Sequence, residues 1–373
     1  MRDKLISTAT RLVVKIGSSI VASRTSGLRV DQIQRLSQEL ADLKTRQREI
    51  VIVTSGAILA GIDKLKLKHY PQTLPLKQAT AAAGQSHLMH AYEKSFQEKG
   101  QNVAQVLLTH QDLADRKRFL NARHTLTTLL DLHVIPIVNE NDTVSVEEIQ
   151  FGDNDTLAAQ VAHLVDADLL VILSDVDGLF TEDPRLNPQA ELIAEVQEIT
   201  PDIEQRAGVS RTQESRGGMV TKVQAAKHAA QFGVPTLIMN GEIPNLFAHI
   251  CEGGKGGTLF LPQSRPLQSR KHWIAFTLRA KGSVLLDEGA VRALRERGKS
   301  LLPSGIFEVR GDFLPGDPIS CLDANGKEFA KGLVNVSSET LAKIKGHKTS
   351  DIQQKFGTQE YEEVIHRDNL AIL

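Results

Sequence analysis

Apolar residues along the first 260 positions fall into short runs that alternate with longer segments of helical period. Six runs rich in Val, Ile and Leu are apolar on both faces, as in strands of a sheet covered on both sides. They lie at 11–16, 49–55, 102–108, 134–140, 168–175 and 234–240. Between them, apolar residues recur at the spacing of amphipathic helices at 31–46, 76–100, 115–133, 155–167 and 219–233. This alternation predicts an α/β fold, with a mainly parallel open sheet flanked by helices on both faces.

The pattern changes after 261–271, where prolines and serines without apolar periodicity predict a linker. Beyond it, short apolar segments are separated by Gly, Asp, Asn or Pro at hairpin intervals, with one helical segment at 288–298. We therefore expect a second, small and mostly-β domain. The predicted organisation is a large α/β domain at 1–262, a linker at 263–271, the small domain at 272–350 and a tail, either docked or mobile, at 351–373.

The composition of the 373-residue chain narrows the classes of protein it could represent. The 44 Lys plus Arg residues balance 45 Asp plus Glu residues, a formal net charge of −1, so no global attraction to nucleic acid or membrane is available. Residues 271–373 carry 15 basic and 14 acidic side chains, far from the basic footprint of a nucleic-acid-binding domain. Two distant cysteines indicate neither disulfides nor a zinc site, and no apolar segment is long enough for a membrane span. We expect a cytosolic protein without nucleic-acid or membrane partners.

Glycine-rich turns follow several predicted strands, although neither GxxxxGK[ST] nor GxGxxG occurs. In a parallel sheet such turns lie at the carboxyl edge, where ligands bind. Lys15 ends the first strand and precedes Gly17, so its ammonium could bridge phosphoryl oxygens; a lysine capping the strand at the surface is the alternative. Gly217 and Gly218 open a helix with Lys222 in its first turn, where a cation opposes the helix dipole unless an anion neutralises it. An anion site or a surface loop would account for this second turn.

Small and polar residues follow three further strands. The turn TSGA at 54–57 could bind a carboxylate or phosphate, or could simply cap a helix. NEND at 139–142 and GDND at 152–155 could bind an ammonium, hold an amino-acid head group or orient lysines and metal-bound water. Turn and cap chemistry alone is the alternative for this pair. The segment SDVDGLF at 174–180 could hold a nucleotide.

Taken in this order, the turns resemble the signatures of the amino acid kinase family, and in particular of those members that phosphorylate glutamate. The matching segments are KIGSS at 15–19, TSGAILAG at 54–61, FLNAR at 119–123, NENDTV at 139–144, FGDNDTLAA at 151–159, SDVDGLFTEDPR at 174–185 and GGMVTK at 217–222. Residues 273–346 are similar to a PUA domain, a small mostly-β barrel. The resemblance covers nearly the whole chain. It implies the amino acid kinase fold and ATP-dependent phosphorylation of the γ-carboxylate of L-glutamate to L-glutamyl 5-phosphate, the first step of proline biosynthesis.

The resemblance also implies roles for individual residues. Lys15 and Lys222 would stabilise the phosphoryl group in transit, and Asp155 would hold both lysines in place. The residues implied to bind glutamate are Ser55, Asp142 and Asn154. Those implied to bind ATP are Lys15, Gly17, Ser174, Asp175, Arg216, Gly217, Gly218, Met219, Val220, Thr221 and Lys222. Arg216 departs from the family pattern, which has threonine at that place. The resemblance therefore supports the contacts at the phosphate end of ATP less strongly than it supports the other contacts.

Cofactors and partners are implied as well. Mg²⁺ is expected with ATP, held chiefly by phosphates and water, with Asp153 or Asp155 as protein contacts. Proline is expected as a feedback inhibitor at or overlapping the glutamate pocket, the chain as a homo-oligomer, either dimer or tetramer, and a glutamyl-phosphate reductase as the downstream enzyme. Two alternatives stay open: a kinase of another amino acid or small acid, and an RNA-binding protein based on the PUA-like domain, which the near-neutral charge disfavours.

Overall fold

The computed structural model of the chain divides into two compact units, residues 1–266 and 267–373. The residues that the structure describes are 2–23, 27–145, 154–209, 218–251, 256–262, 271, 274–275, 278–347, 351–352 and 363–373. Within these ranges, no helix combines the length and the apolar character that crossing a membrane requires.

An eight-stranded sheet forms the centre of the first unit. In chain order the strands of this unit are β1 (Arg11–Ile16), β2 (Ala22–Ser23), β3 (Gly27–Leu28), β4 (Glu49–Val53), β5 (Val103–Leu108), β6 (Ile135–Glu140), β7 (Leu169–Ser174), β8 (Glu195–Val196), β9 (Thr236–Asn240) and β10 (Thr258–Phe260). The sheet order is β5-β6-β4-β1-β7-β9-β10-β8, and β2 pairs separately with β3. The six predicted runs form the parallel part, whereas β10 runs antiparallel to β9. The predicted α/β class is therefore confirmed, and the carboxyl ends of six strands meet at one edge.

Helices cover this sheet on both faces. Those described in the first unit are α1 (Arg2–Thr8), α2 (Ser18–Val21), α3 (Val30–Thr45), α4 (Ala57–Lys64), α5 (Leu74–Gln97), α6 (His110–Ala114), α7 (Arg116–Asp131), α8 (Asn154–Leu164), α9 (Pro201–Val209), α10 (Met219–Gln231) and α11 (Leu246–Cys251). Successive side chains of a strand point to opposite faces. In β1, Val14 and Ile16 join a buried cluster with Leu36 of α3 and Phe96 of α5. The alternate positions, among them Lys15, face α8.

Helices α4 and α5 approach each other at backbone distance, because glycines occupy their contact. A Cβ atom on Gly84 would lie 1.8 Å from the carbonyl oxygen of Ala57, and one on Gly61 would lie 1.9 Å from that of Thr80. Backbone atoms cannot move aside as the end of a flexible side chain can. The two glycines therefore fix α5 against the helix that follows β4.

A five-stranded sheet builds the second unit, in the order β12-β11-β13-β14-β15. Its elements are β11 (Gly282–Leu286), α12 (Glu288–Arg297), β12 (Ile306–Gly311), β13 (Pro318–Leu322), β14 (Glu328–Leu333), α13 (Ser338–Ile344) and β15 (Leu370–Ile372), with short 3-10 turns at Pro303–Gly305 and Arg367–Asn369. Helix α12 is the predicted helical segment. Helix α13, which Ser337 begins by accepting a hydrogen bond from the Thr340 N–H, is absent from the sequence prediction. The end of the predicted tail is docked, because β15 pairs with β14.

We expect Gly84→Ala to lower the free energy of unfolding by about 3 kcal/mol, the upper end of the cost of overpacking, because its Cβ would collide with backbone. Gly208→Ala on α9 is the matched control. Among the residues that the structure describes, none has an atom within 4 Å of a Cβ there, so the better helix propensity of alanine should leave stability equal or slightly higher. Urea unfolding followed by circular dichroism measures both. Equal midpoints for the two variants would contradict the role assigned to the glycine contact.

Candidate functional site

The carboxyl edge of the large sheet brings together most of the predicted site residues. Neighbouring strands β6, β4, β1 and β7 all end there. The helices α8 and α10 contribute their first turns, which carry Asp155 and Lys222. The residues lie in two adjoining groups, one charged and built around Asp155, the other polar and built around Asn154.

The charged group consists of two lysines that share one carboxylate. Lys15 Nζ lies 2.6 Å from Asp155 Oδ1, and Lys222 Nζ lies 3.3 Å from Asp155 Oδ2. The hydroxyl of Thr221 also donates to Oδ2, at 2.8 Å. The Asp155 side chain is 0% exposed and the two lysine side chains are 8% and 5% exposed. These three side chains, two ammonium groups and one carboxylate, together carry a positive formal charge, which suits an anionic ligand.

Burial and the two lysines shift the pKa of Asp155 in opposite directions. Burial raises the pKa because it penalises the charged form, whereas the charges of Lys15 and Lys222, and hydrogen bonds from Lys15 and Thr221, lower it. The lysines prevail, and the pKa of Asp155 falls from 3.8 to about 2. Asp155 is therefore ionised throughout the neutral range.

A glycine turn leaves the approach to Lys15 open. The N–H of Gly17 donates to the carbonyl of Leu173 at 3.0 Å, which ties the end of β1 to β7. A Cβ on Gly17 would lie 3.1 Å from that same oxygen and 3.9 Å from Lys15 Nζ. A larger residue would therefore crowd both the strand contact and the ammonium.

The polar group is centred on the buried amide of Asn154. Its Nδ2 lies 2.6 Å from the carbonyl oxygen of Thr54 and 2.9 Å from both Ser55 Oγ and Asn139 Oδ1. The structure thus brings together at the end of β4 the residues Ser55 and Asn154, and their contact with glutamate stays a prediction. Asp142 lies half-buried in the turn that follows β6. Its contact with glutamate stays a prediction.

Two polar residues behind this pocket are missing from the sequence prediction. Asn139 Nδ2 donates to Gln85 Oε1 at 2.7 Å, and the hydroxyls of Thr54 and Tyr92 are hydrogen-bonded at 3.0 Å. Burial raises the pKa of Tyr92, so its hydroxyl stays neutral. Gln78, Gln85 and Tyr92 recur every seven residues, on one face of α5. That spacing of polar groups is the signal that could have indicated them.

The predicted nucleotide residues of β7 lie beside the charged group. Ser174 Oγ donates to Asp175 Oδ1 at 3.0 Å, and the N–H of Gly241 donates to the Ser174 carbonyl at 2.8 Å. Asn240 Nδ2 donates to Asp177 Oδ1 at 2.9 Å. These bonds connect the turn after β7 to the end of β9.

Helix α10 supplies the other predicted nucleotide residues. Gly218 is its N-cap, and Met219 and Val220 are half-buried in its first turn. The Thr221 hydroxyl is engaged within the protein, since it donates to Asp155 and also lies 2.9 Å from the Gly218 carbonyl oxygen. Contacts of these residues with ATP stay predictions. The ATP-site positions outside the described residues are Arg216 and Gly217.

The arrangement around Asp155 does not favour a metal ion. Among the described residues, no group of three or more His, Cys, Asp or Glu side chains could hold one. Each Asp155 oxygen has a lysine ammonium within 3.3 Å, and these charges repel a cation. Asp155 therefore fits the predicted role of lysine holder and not that of a Mg²⁺ ligand. Asp153, the other predicted metal contact, lies outside the described residues.

The unit that carries the mainly parallel sheet and the lysine pair matches a known family by its sequence. Residues 10–240 match the amino acid kinase family, and residues 282–356 match the PUA domain. The chain belongs to the amino acid kinase family.

Two relatives at about half identity match this chain over nearly their whole length. The glutamate 5-kinase of Caldanaerobacter subterraneus subsp. tengcongensis is 50% identical over 363 residues, 97% of this chain and 98% of that protein. The glutamate 5-kinase of Geobacter sulfurreducens is 48% identical over 373 residues, 100% of both chains. Among solved structures, the UMP kinase of Bacillus anthracis is 17% identical with a TM-score of 0.48, over 69% of this chain and 97% of that one.

We expect Asp155→Asn to lower the free energy of unfolding at pH 7 by about 3–5 kcal/mol, because it leaves two buried ammonium groups without their carboxylate. The folded-state pKa of about 2 lies below the ordinary value of 3.8, so the carboxylate stabilises the fold fully above the higher value. This contribution, about 2 kcal/mol for such a shift, is lost as the pH falls from 5 to 2. Urea unfolding across this range should show the wild type and the variant converging by that amount.

The matched control is Asp166→Asn, which removes an exposed ion pair with Arg123. Such pairs contribute about 0–1 kcal/mol, so this variant should unfold much like the wild type at pH 7. A difference between wild type and Asp155→Asn that stays constant between pH 5 and pH 2 would contradict the ionised, lysine-paired state of Asp155.

Proposed function

We propose that this chain transfers the terminal phosphoryl group of ATP to the γ-carboxylate of L-glutamate and releases L-glutamyl 5-phosphate, the first intermediate of proline biosynthesis. The observation that carries the proposal is the buried lysine pair held by Asp155 directly beside the amide-rich pocket of Asn154. Full-length similarity to proteins named glutamate 5-kinase supports the choice of glutamate within the family.

Phosphoryl transfer to a carboxylate brings two anions together, while negative charge spreads over the transferring oxygens. Cations fixed in a dry site stabilise that charge without reorganising. Lys15 approaches from β1 and Lys222 from α10, so the phosphoryl group passes between side chains on opposite sides of Asp155. The γ-carboxylate is already ionised at neutral pH, so the reaction needs no general base.

The head group of glutamate is proposed to bind at the ends of β4 and β6. Ser55 and Asn154 adjoin each other there, and Asp142 follows in the next turn. A carboxylate at Asp142 suits the α-ammonium group of an amino acid. The γ-carboxylate would then extend toward Lys15.

ATP is proposed to bind along β7 and the start of α10, with its phosphates directed at the lysine pair. Mg²⁺ would be bound by the nucleotide phosphates and water, because Asp155 already serves both lysines. Its part in the chemistry is to neutralise phosphate charge, a task that it would share with Lys15 and Lys222.

Proline is proposed as an inhibitor at the same pocket, since it presents the ammonium and α-carboxylate of an amino acid without the γ-carboxylate. Assembly into a dimer or tetramer and use of the product by a glutamyl-phosphate reductase are proposed from the family resemblance. An acyl phosphate is reactive toward water, which favours prompt consumption. The near-neutral composition with two cysteines supports a cytoplasmic location.

The substrate class is tested by ADP release from ATP with a series of acceptors. We expect turnover with glutamate to exceed turnover with aspartate, N-acetylglutamate or UMP by at least about 100-fold. Discrimination of this size arises when the buried polar groups of a site are all paired by one acceptor and not by the others. Preference for N-acetylglutamate or UMP would replace glutamate with another acceptor and overturn the proposal.

The lysine pair is tested by Lys15→Ala and Lys222→Ala. Each should lower kcat by about 10²–10³ with little change in the KM for glutamate, by analogy with the loss of an oxyanion-hole donor. Lys227→Ala, on the same helix as Lys222 but paired with Glu204 and 41% exposed, is the control and should retain kcat. Near-normal kcat in either site variant would show that the lysine does not act on the transferring group.

A further inference from the structure

Gln85 reaches from α5 to the polar group, where its Oε1 accepts a hydrogen bond from Asn139 Nδ2 at 2.7 Å. We propose that Gln85 is a positioning residue, which fixes the amides of Asn139 and Asn154 in the orientation that glutamate binding requires. The inference rests on the proposed function. Its evidence is a continuous series of hydrogen bonds whose directions are set by two backbone groups.

The first of these backbone groups is the N–H of Glu140. It donates to Asn139 Oδ1 at 2.9 Å, and Asn154 Nδ2 donates to the same oxygen at 2.9 Å. A backbone N–H can only donate, so the Asn139 atom facing it must be oxygen. The amide nitrogen of Asn139 therefore faces Gln85, and the Gln85 atom that meets it, 2.7 Å away, must be the acceptor Oε1.

The second backbone group is the carbonyl of Thr54, which can only accept. It lies 2.6 Å from the amide of Asn154, so the atom facing it is Nδ2. With Nδ2 turned to Thr54, Ser55 and Asn139, the oxygen of Asn154 lies on the other side of its amide. Asn154 thus offers a ligand an acceptor, and Asn139 supports this orientation as long as it keeps its own oxygen toward Asn154.

Gln85 is itself held at both ends. Its Nε2 donates to Gln105 Oε1 on β5 at 3.1 Å, which sets the direction of its amide. Its backbone neighbour Gly84 lies at the close contact of α5 with α4, so the helix cannot shift at this point. Two helical turns earlier on the same face of α5, Gln78 Nε2 donates to the carbonyl of Ser145 at 3.2 Å. The two glutamines of α5 therefore hold both ends of the segment 139–145.

Without the Gln85 acceptor, neither orientation of Asn139 is satisfied. In the present one, the Nδ2 of a residue that is 2% exposed loses its partner. In the flipped one, an NH2 group faces the Glu140 N–H, and two donors meet. Either state loosens the contact that orients Asn154.

The test is Gln85→Met, which keeps the size of the side chain and removes the acceptor. We expect the KM for glutamate to rise roughly fivefold to tenfold, the effect of one lost hydrogen bond, while kcat and the KM for ATP stay within about twofold. Gln85→Glu keeps an acceptor oxygen, and the exposed amide of Gln105 can rotate to donate to it, so this variant should stay within about threefold of the wild-type KM for glutamate. Gln97→Met, at an exposed position at the end of the same helix, is the control, and its KM for glutamate should be unchanged.

A second measurement does not depend on activity. Gln85→Met should lower the urea midpoint of unfolding in the wild type but cause no further loss in an Asn139→Ala background, because the bond it removes is already absent there. Three outcomes would each overturn the role of Gln85. The first is that the decreases in urea midpoint caused by Gln85→Met and Asn139→Ala simply add in the double variant. The others are a Gln85→Met KM for glutamate like that of the wild type, and a Gln85→Glu variant as impaired as Gln85→Met. Absence of glutamate-dependent turnover in the wild type would refute the proposed function instead, and the unfolding cycle would then decide the role of Gln85.

Discussion

Three charges are buried together at one edge of the sheet, and the elements around them must meet in one arrangement to keep them together. Removing an ammonium or a carboxylate from water costs several kcal/mol, and only close pairing offsets this cost. Asp155 meets the need with both oxygens, one for Lys15 and one for Lys222. A shift of β1 by one residue would turn Lys15 toward the apolar cluster of α3 and α5, where no partner has been found among the described residues. The register of β1 and the packing of α8 and α10 are therefore set by electrostatics as well as by apolar burial.

The polar pocket next to this cluster is built almost entirely of neutral groups, and that difference has a physical consequence. Amides and hydroxyls at Ser55, Asn139 and Asn154 hydrogen-bond in either direction without adding a net charge beside the lysines. A further carboxylate in contact with Lys15 would neutralise the charge that the transferring group needs. Neutral hydrogen-bonding groups around Asn154 can thus lie beside the charged groups that stabilise the phosphoryl group, while the carboxylate proposed for the α-ammonium, Asp142, lies in the next turn. The cost is that amides must be oriented by their neighbours, which is the task we assign to Gln85.

The sequence predicts the parallel strands well, because a strand buried on both faces has an apolar pattern that local residues alone reveal. It does not reveal that β10 is antiparallel, since three residues carry no directional pattern. At the site, the position of Lys222 in the first turn of a helix predicts an anionic ligand, which stays a prediction, and the anion that the structure shows beside Lys222 is the carboxylate of Asp155. The identity of that anion does not follow, because Asp155 lies 67 residues away and meets Lys222 only through the packing of α8 on α10. The contacts of Gln85 and Tyr92 are still harder to predict from the sequence, although their spacing places them on one face of α5. These contacts depend on the glycine packing of α5 against α4, which no local pattern encodes.

The ratio of charges in the cluster accounts for its reactivity as well as its stability. With no carboxylate, the two buried ammonium groups would repel each other without any compensating attraction from Asp155. With two carboxylates, the cluster would be neutral and would attract no anion. One carboxylate, held ionised by its depressed pKa, contacts both lysines, so these three side chains together carry a formal net charge of +1. A phosphate that binds there is attracted by that positive charge. The attraction is strongest when the phosphoryl oxygens carry the most negative charge. A single aspartate between two lysines therefore links the stability of the sheet edge to the stabilisation of the transferring phosphoryl group.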